Sequence, residues 1–142
     1  MTFQPHGELR ISVEYPLLIS HARGPWNREL VVLWRKQALA HAQAMQRLGP
    51  WVGVGVMRGS MTCTLDALAL HRETAEYMVA ELGAVGSAHV AGPEVEGYAM
   101  MRGVFDRMFD GVCPHAHFDR LEDVRPWAEQ LLDRRVQSSS DR

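Results

Sequence analysis

Breaks made by glycine and proline divide this chain into short segments. Three Gly-Pro dipeptides lie at 24–25, 49–50 and 92–93. Two further breaks are the single glycines Gly83 and Gly111. Proline cannot continue a helix or donate to a sheet ladder, and glycine commonly ends helices. After two strand-length stretches at the start, the pattern along these segments alternates between helix length and strand length. They predict a single α/β domain of order ββαβαβαβα, with a mixed five-stranded sheet and an N-terminal antiparallel hairpin.

The hydrophobic pattern places the elements within these segments. Leu9, Ile11, Val13 and Tyr15 alternate with polar residues, as in a half-buried strand, and Pro16 ends it. The other strands are predicted at 17–22, 51–57, 87–91 and 115–118. The helices are predicted at about 27–48, 64–82, 94–109 and 122–134. The domain is predicted to span residues 1–135, and the polar tail, residues 136–142, is predicted to be disordered.

Composition excludes several classes of protein. The chain has 142 residues with 15 basic and 17 acidic side chains, which argues against nucleic acid or acidic membranes as partners. It has no apolar run long enough for a transmembrane segment and no signal-peptide pattern at its start. Cys63 and Cys113 make no disulfide framework, so a cytoplasmic location is expected. All basic residues except Lys36 are arginine, which indicates a bacterial source with a GC-rich genome.

Three short stretches carry a resemblance to a known family. They are Gly24-Pro25-Trp26-Asn27, Thr64-Leu65-Asp66-Ala67-Leu68, and 118–123 leading to Trp127. With the element order, they make the chain similar to the STAS-like superfamily, the fold of anti-sigma-factor antagonists, over about residues 9–132. The resemblance implies a non-enzymatic binding or regulatory module for a partner protein or an apolar or amphiphilic small ligand.

In anti-sigma-factor antagonists of this superfamily, an Asp-Ser pair follows the third strand, and the serine is phosphorylated. The resemblance implies a similar position in this chain. Here the corresponding loop, residues 57–64, has no aspartate before Ser60. Ser60 or Thr62 would occupy the phosphorylated position.

The first ligand or partner site that the sequence predicts lies where the second and third strands end. Parallel strands bring their carboxyl ends to one edge of the sheet, and the helices that follow present free N–H groups there. Arg58 supplies a positive charge, and Trp26 supplies an apolar wall. The predicted site consists of Trp26, Asn27, Arg58, Ser60, Thr62 and Thr64.

A second candidate site is the stretch Cys113-Pro114-His115-Ala116-His117. Alternate residues of a strand share a face, so Cys113, His115 and His117 would project together as a plausible zinc set, with His89 as the evident fourth partner. This would make the chain a small metalloprotein or hydrolase. The alternative, which the sequence favours, is the polar face of an edge strand, so no metal or other cofactor is expected.

The remaining motifs favour structure over catalysis. Gly53, Gly55 and Gly59 have a dinucleotide-like spacing, but the first two lie inside a strand, where they predict close packing of neighbouring groups. Ser60 lacks the glycines of a nucleophile elbow, and Cys63 resembles a small buried residue. No catalytic residues are therefore assigned. The exposed edge of the N-terminal hairpin predicts a homodimer.

Overall fold

The computed structural model describes residues 8–140. Its elements are β1 (Glu8–Glu14), β2 (Leu17–Arg23), α1 (Arg28–Leu48), β3 (Trp51–Arg58), α2 (Leu65–Glu81), β4 (Ala84–Val90), α3 (Tyr98–Phe109), β5 (His115–Phe118) and α4 (Val124–Ser140). The predicted α/β class and order of elements are confirmed. None of the described helices is long and apolar enough to cross a membrane.

The five strands form one mixed sheet in the order β1-β2-β3-β4-β5. β1 pairs with β2 in an antiparallel hairpin, and the other three pairs are parallel, as predicted. Because β2 and β3 are parallel, Arg23 and Arg58 are partners at their carboxyl ends. β1 and β5 are the edge strands.

Helices cover both faces of the sheet. On one face, α1, α2 and α3 pack over the even-numbered residues of β2, including Leu18 and Ala22. On the other face, α4 packs its buried Val124 and Ala128 against Leu17 and its neighbours. The alternation of side chains along each strand therefore supplies two apolar cores, one on each side of the sheet.

Three element boundaries differ from the prediction. β4 begins at Ala84, earlier than expected, and α3 begins at Tyr98 instead of near residue 94. The segment before α3 pairs with the loop after β3, because the Met61 N–H donates to the Glu96 carbonyl at 2.8 Å. α4 continues past residue 134 to Ser140, into the segment predicted to be disordered, and residues 141–142 lie outside the described residues.

Candidate functional site

The loops that follow β2 and β3 lie against each other, as the sequence predicted. The Trp26 N–H donates to the Thr62 carbonyl at 2.8 Å, and the Thr64 N–H donates to the Trp26 carbonyl at 3.2 Å. Asn27 and Thr64 are the predicted helix caps: Asn27 Oδ1 accepts from the Leu30 N–H at 2.9 Å, and Thr64 Oγ1 caps α2. The structure thus brings these four residues together through backbone contacts.

Two hydroxyl groups of the predicted site point into the protein. Ser60 is only 4% exposed, and its Oγ donates to Glu96 Oε1 at 2.8 Å. The same Oγ lies 2.8 Å from Thr62 Oγ1 and accepts from the Thr62 N–H at 3.1 Å. In this conformation Ser60 holds the loop together instead of facing an external ligand or kinase.

Arg58 and Trp26 face different surroundings. Arg58 is exposed and lies beside Arg23 in a surface depression that also includes Gly59 and Glu94. Trp26 is 6% exposed and lines an interior cavity, so it is not the outer wall of a surface site. The predicted site is therefore divided between a charged surface at Arg58 and a buried face at Trp26.

The interior cavity lies between the sheet and helices α1 and α2, with a volume of about 70 Å³. Its lining is mostly apolar; representative residues from the helices and strands are Trp34, Ala38, Met57, Ala75 and Met78. Two polar side chains in the wall hydrogen-bond to each other, since Trp34 Nε1 donates to Ser20 Oγ at 2.9 Å. His71 of α2 also lines the cavity.

Glycines in β3 create the space beneath these helices. Among the described residues beyond its chain neighbours, a Cβ atom on Gly53 would approach Trp51 alone within 4 Å, at 3.7 Å, so the position has room beside it. A Cβ atom on Gly55 would lie 3.1 Å from Cδ2 of His89. The prediction that these glycines admit close packing is confirmed at Gly55, where the missing side chain is replaced by the ring of His89.

Next to the cavity, four histidines gather between the sheet and the helices. His89 of β4 is stacked on Phe105 with ring centroids 4.2 Å apart, and the ring of His71 lies 6.1 Å from it. His115 and His117 project from β5 toward α3, with ring centroids 4.6 Å apart. Packing of α2 and α3 on two adjacent strands therefore brings together histidines that are far apart in sequence.

A carboxylate of α3 orders this cluster. Asp106 Oδ1 lies 2.9 Å from Nδ1 of His115 and 3.0 Å from Nε2 of His117. Nε2 of His115 lies 2.7 Å from Nδ1 of His89. When Asp106 is ionised, both of its contacts are N–H donors, so Nε2 of His115 accepts the Nδ1 proton of His89. The result is a hydrogen-bonded chain from Asp106 through His115 to His89.

Burial sets the charge of the cluster. Desolvation lowers the pKa of His71 to about 4 and that of His115 to about 4, and it holds the pKa of His89 well below its usual value. Burial raises the pKa of Asp106, but hydrogen bonds and charge from His115 and His117 outweigh it and hold that pKa below the ordinary value. At neutral pH His71, His89 and His115 are therefore uncharged, and Asp106 is ionised.

β5 is an edge strand with a polar face, as the favoured interpretation has it, but α3 lies over that face. The His115 and His117 side chains are 4% and 11% exposed, because α3 covers that face. Cys113 does not join them: it precedes the strand and lines the apolar cavity, and burial raises the pKa of its thiol to about 11. The partner of the two histidines is Asp106, which sequence spacing did not single out.

Comparisons with protein-family models, curated proteins and solved structures found no match. The function of this chain therefore has to be inferred from its own residues.

Proposed function

We propose that this protein is a non-enzymatic, STAS-like binding module that takes a small apolar or amphiphilic molecule into the cavity beneath α1 and α2. The observation that carries the proposal is His71. This half-buried imidazole lines an otherwise mostly apolar cavity, and no hydrogen bond joins it to the described side chains, which span residues 8–135. Its lowered pKa keeps it neutral, so it offers one donor and one acceptor to a ligand.

The unpaired imidazole defines the chemistry of the ligand. Leaving a fully buried polar group without a partner costs about 1–3 kcal/mol; His71 is half-buried, so its cost is smaller, and a ligand that supplies the partner recovers part of it. The remaining wall offers apolar contact, because Ala38, Ala75 and Met78 carry no strong hydrogen-bonding group. The ligand class that fits is an apolar body with one hydroxyl or carbonyl group.

The size and walls of the cavity favour a small ligand. A cavity of about 70 Å³ is larger than a single water needs. Met57 and Met78 line it, and methionine side chains rearrange readily around guests of different shape. The ligand is therefore expected to be a short aliphatic chain or a compact branched group.

The candidate nucleophiles Cys63, Cys113 and Ser60 are poorly suited to catalysis, which favours a binding function. Burial raises the pKa of the Cys63 thiol to about 12 and that of Cys113 to about 11, so both are protonated at neutral pH and weakly nucleophilic. Ser60 hydrogen-bonds to Glu96 and Thr62, without a histidine base. The element order and N-terminal hairpin agree with the architecture that the STAS-like resemblance implies.

A series of straight-chain alcohols from ethanol to 1-butanol tests the proposal, with binding followed by calorimetry and by amide chemical shifts. Each added methylene that enters the cavity contributes about 0.8 kcal/mol, or roughly a fourfold gain in affinity. We expect the affinity to rise with chain length along the series. We also expect His71→Phe to lower the affinity for every alcohol, because it removes the hydrogen-bonding group.

Two glycine variants test whether the alcohols bind in the cavity or elsewhere on the protein. Gly53→Ala adds a methyl group where the wall has room, so it is expected to reduce alcohol binding while the fold persists. Gly103→Ala adds the same group on α3, where a Cβ atom would lie 3.6 Å from the flexible end of Arg107, and this variant should bind alcohols like the wild type. Alcohol affinities that do not change with chain length, or that are the same for Gly53→Ala and Gly103→Ala, would contradict the proposal.

A further inference from the structure

We infer that Asp106, His115 and His117 form a binding site for a divalent transition-metal ion, with Zn²⁺ the ion of best fit. One ligand atom from each of these three residues lies within 4.8 Å of the other two. This site is separate from the cavity of the proposed function, and neither depends on the other.

The fold builds this site from two consecutive elements. β5 presents His115 and His117 to the same face because they alternate along the strand. α3, which immediately precedes β5, packs on that face and supplies Asp106. The short connection between α3 and β5 brings the three ligands together within residues 106–117.

The donor set selects the class of metal. Two imidazole nitrogens and one carboxylate oxygen suit zinc and its first-row neighbours, whereas calcium and magnesium prefer oxygen ligands throughout. Three protein ligands leave at least one position for water or another molecule. The Asp106 side chain is 58% exposed while the two imidazoles are nearly buried, so that open position would face solvent.

The distances are close to those of a metal centre and require a modest adjustment. Zinc ligands about 2.0–2.2 Å from the ion are roughly 3.4 Å from one another in a tetrahedral site. The contacts of Asp106 at 2.9 and 3.0 Å must widen, and ligand atoms that are at most 4.8 Å apart must approach. Asp106 is exposed and can move by changing rotamer. His117 Nε2 must also leave the Arg102 carbonyl, which is 3.1 Å away.

A neighbouring histidine supports the ligand His115. Metal-bound histidines usually donate their other ring N–H to a fixed acceptor. Here Nδ1 of His115 would bind the ion, and Nε2 would carry the proton and donate to Nδ1 of His89, now 2.7 Å away. His89 would in turn carry its own proton on Nε2. All of these rings stay neutral, and His89, held against Phe105, fixes the orientation of His115.

Isothermal titration of the chelator-treated full chain with Zn²⁺ tests this site, and Co²⁺ absorption reports the ligands. We expect one ion per chain. Asp106→Asn and His117→Gln should each weaken binding by roughly 100-fold or more, since even outer partners of a metal contribute 10- to 100-fold. Asp106 is exposed, so its variant is expected to fold, and circular dichroism of both variants checks this.

Two control variants make the test specific. His41→Gln removes an exposed histidine of α1 and should leave zinc affinity unchanged. Cys113→Ser should also leave it unchanged, and the Co²⁺ complex should lack a thiolate charge-transfer band. Binding that is unaffected by Asp106→Asn and His117→Gln, or that is lost in Cys113→Ser, would overturn the inference.

Discussion

Replacing His71 by leucine is expected to make the stability of the protein less sensitive to acid. Burial lowers the pKa of His71 to about 4 in the folded chain, against about 6.5 in the unfolded chain. Above the unfolded value the histidine is neutral in both states. As the pH falls from about 6.5 toward 4, the unfolded state binds a proton that the folded state does not, and stability is lost.

The surroundings of His71 explain why it stays neutral. The ring of Trp34 lies 4.8 Å away, and the rings of Phe105 and Phe109 lie at 6.4 and 5.9 Å. The charge that His115 would carry also opposes protonation of His71. From the two pKa values, His71 removes about 2 kcal/mol from the free energy of unfolding between about pH 7.5 and pH 5.

Urea denaturation of the metal-free protein at several pH values between about 7.5 and 5 measures this effect. The difference in unfolding free energy between wild type and His71→Leu should fall by about 2 kcal/mol over that range. His41→Leu, at an exposed position of α1, should give a curve parallel to the wild type. If His71→Leu is also parallel to the wild type, the burial argument for this residue is refuted.

Three further substitutions test separate parts of the structure. Gly55→Ala places a methyl group 3.1 Å from His89, so a cost of about 1–3 kcal/mol is expected in urea denaturation, and a neutral result would contradict the packing at that position. Thr64→Ala removes the hydroxyl that caps α2 and should cost about 1 kcal/mol, which a fall in Tm would show. Arg58→Ala should leave the Tm nearly unchanged because the side chain is exposed, and it should weaken any anion or partner bound at the charged surface. Unchanged binding in a pull-down or titration would remove Arg58 from that predicted site.

The order of the elements could be predicted because the local signals that set it are strong. Glycine and proline breaks end the helices near Leu48 and Phe109, and Asn27 and Thr64 begin the first two. α3 begins later than the sequence pattern predicts, because a tertiary contact holds the preceding segment in another conformation. The predicted first turn instead pairs with the loop after β3, through the backbone of Glu96.

The histidine cluster could be predicted only in part. The alternation of His115 and His117 correctly placed both on one face of β5, but it could not tell that α3 covers this face. Asp106 directly follows the buried Phe105, and an acidic residue beside an apolar stripe is a signal that could have drawn attention to it. His71 gave no such signal, because its position against the cavity depends on how α2 crosses the sheet.

The cavity could not be predicted from residue types alone. Met57 and Met78 are buried, yet the space beside them depends on Gly53 and on the separation of α1 and α2 from the sheet. Such a separation is a property of packing between elements and is not encoded in any short stretch of sequence.

Methionine methyl spectra recorded under xenon pressure test most directly whether the cavity admits an apolar guest. Xenon enters apolar cavities without needing a hydrogen bond. The account predicts saturable shifts of the Met57 and Met78 methyl groups, which line the cavity, and no saturable shift of Met100, which is 65% exposed. It also predicts that Gly53→Ala reduces these shifts. Absence of saturation at Met57 and Met78, or an equal response at Met100, would contradict the proposal that this cavity binds small apolar ligands.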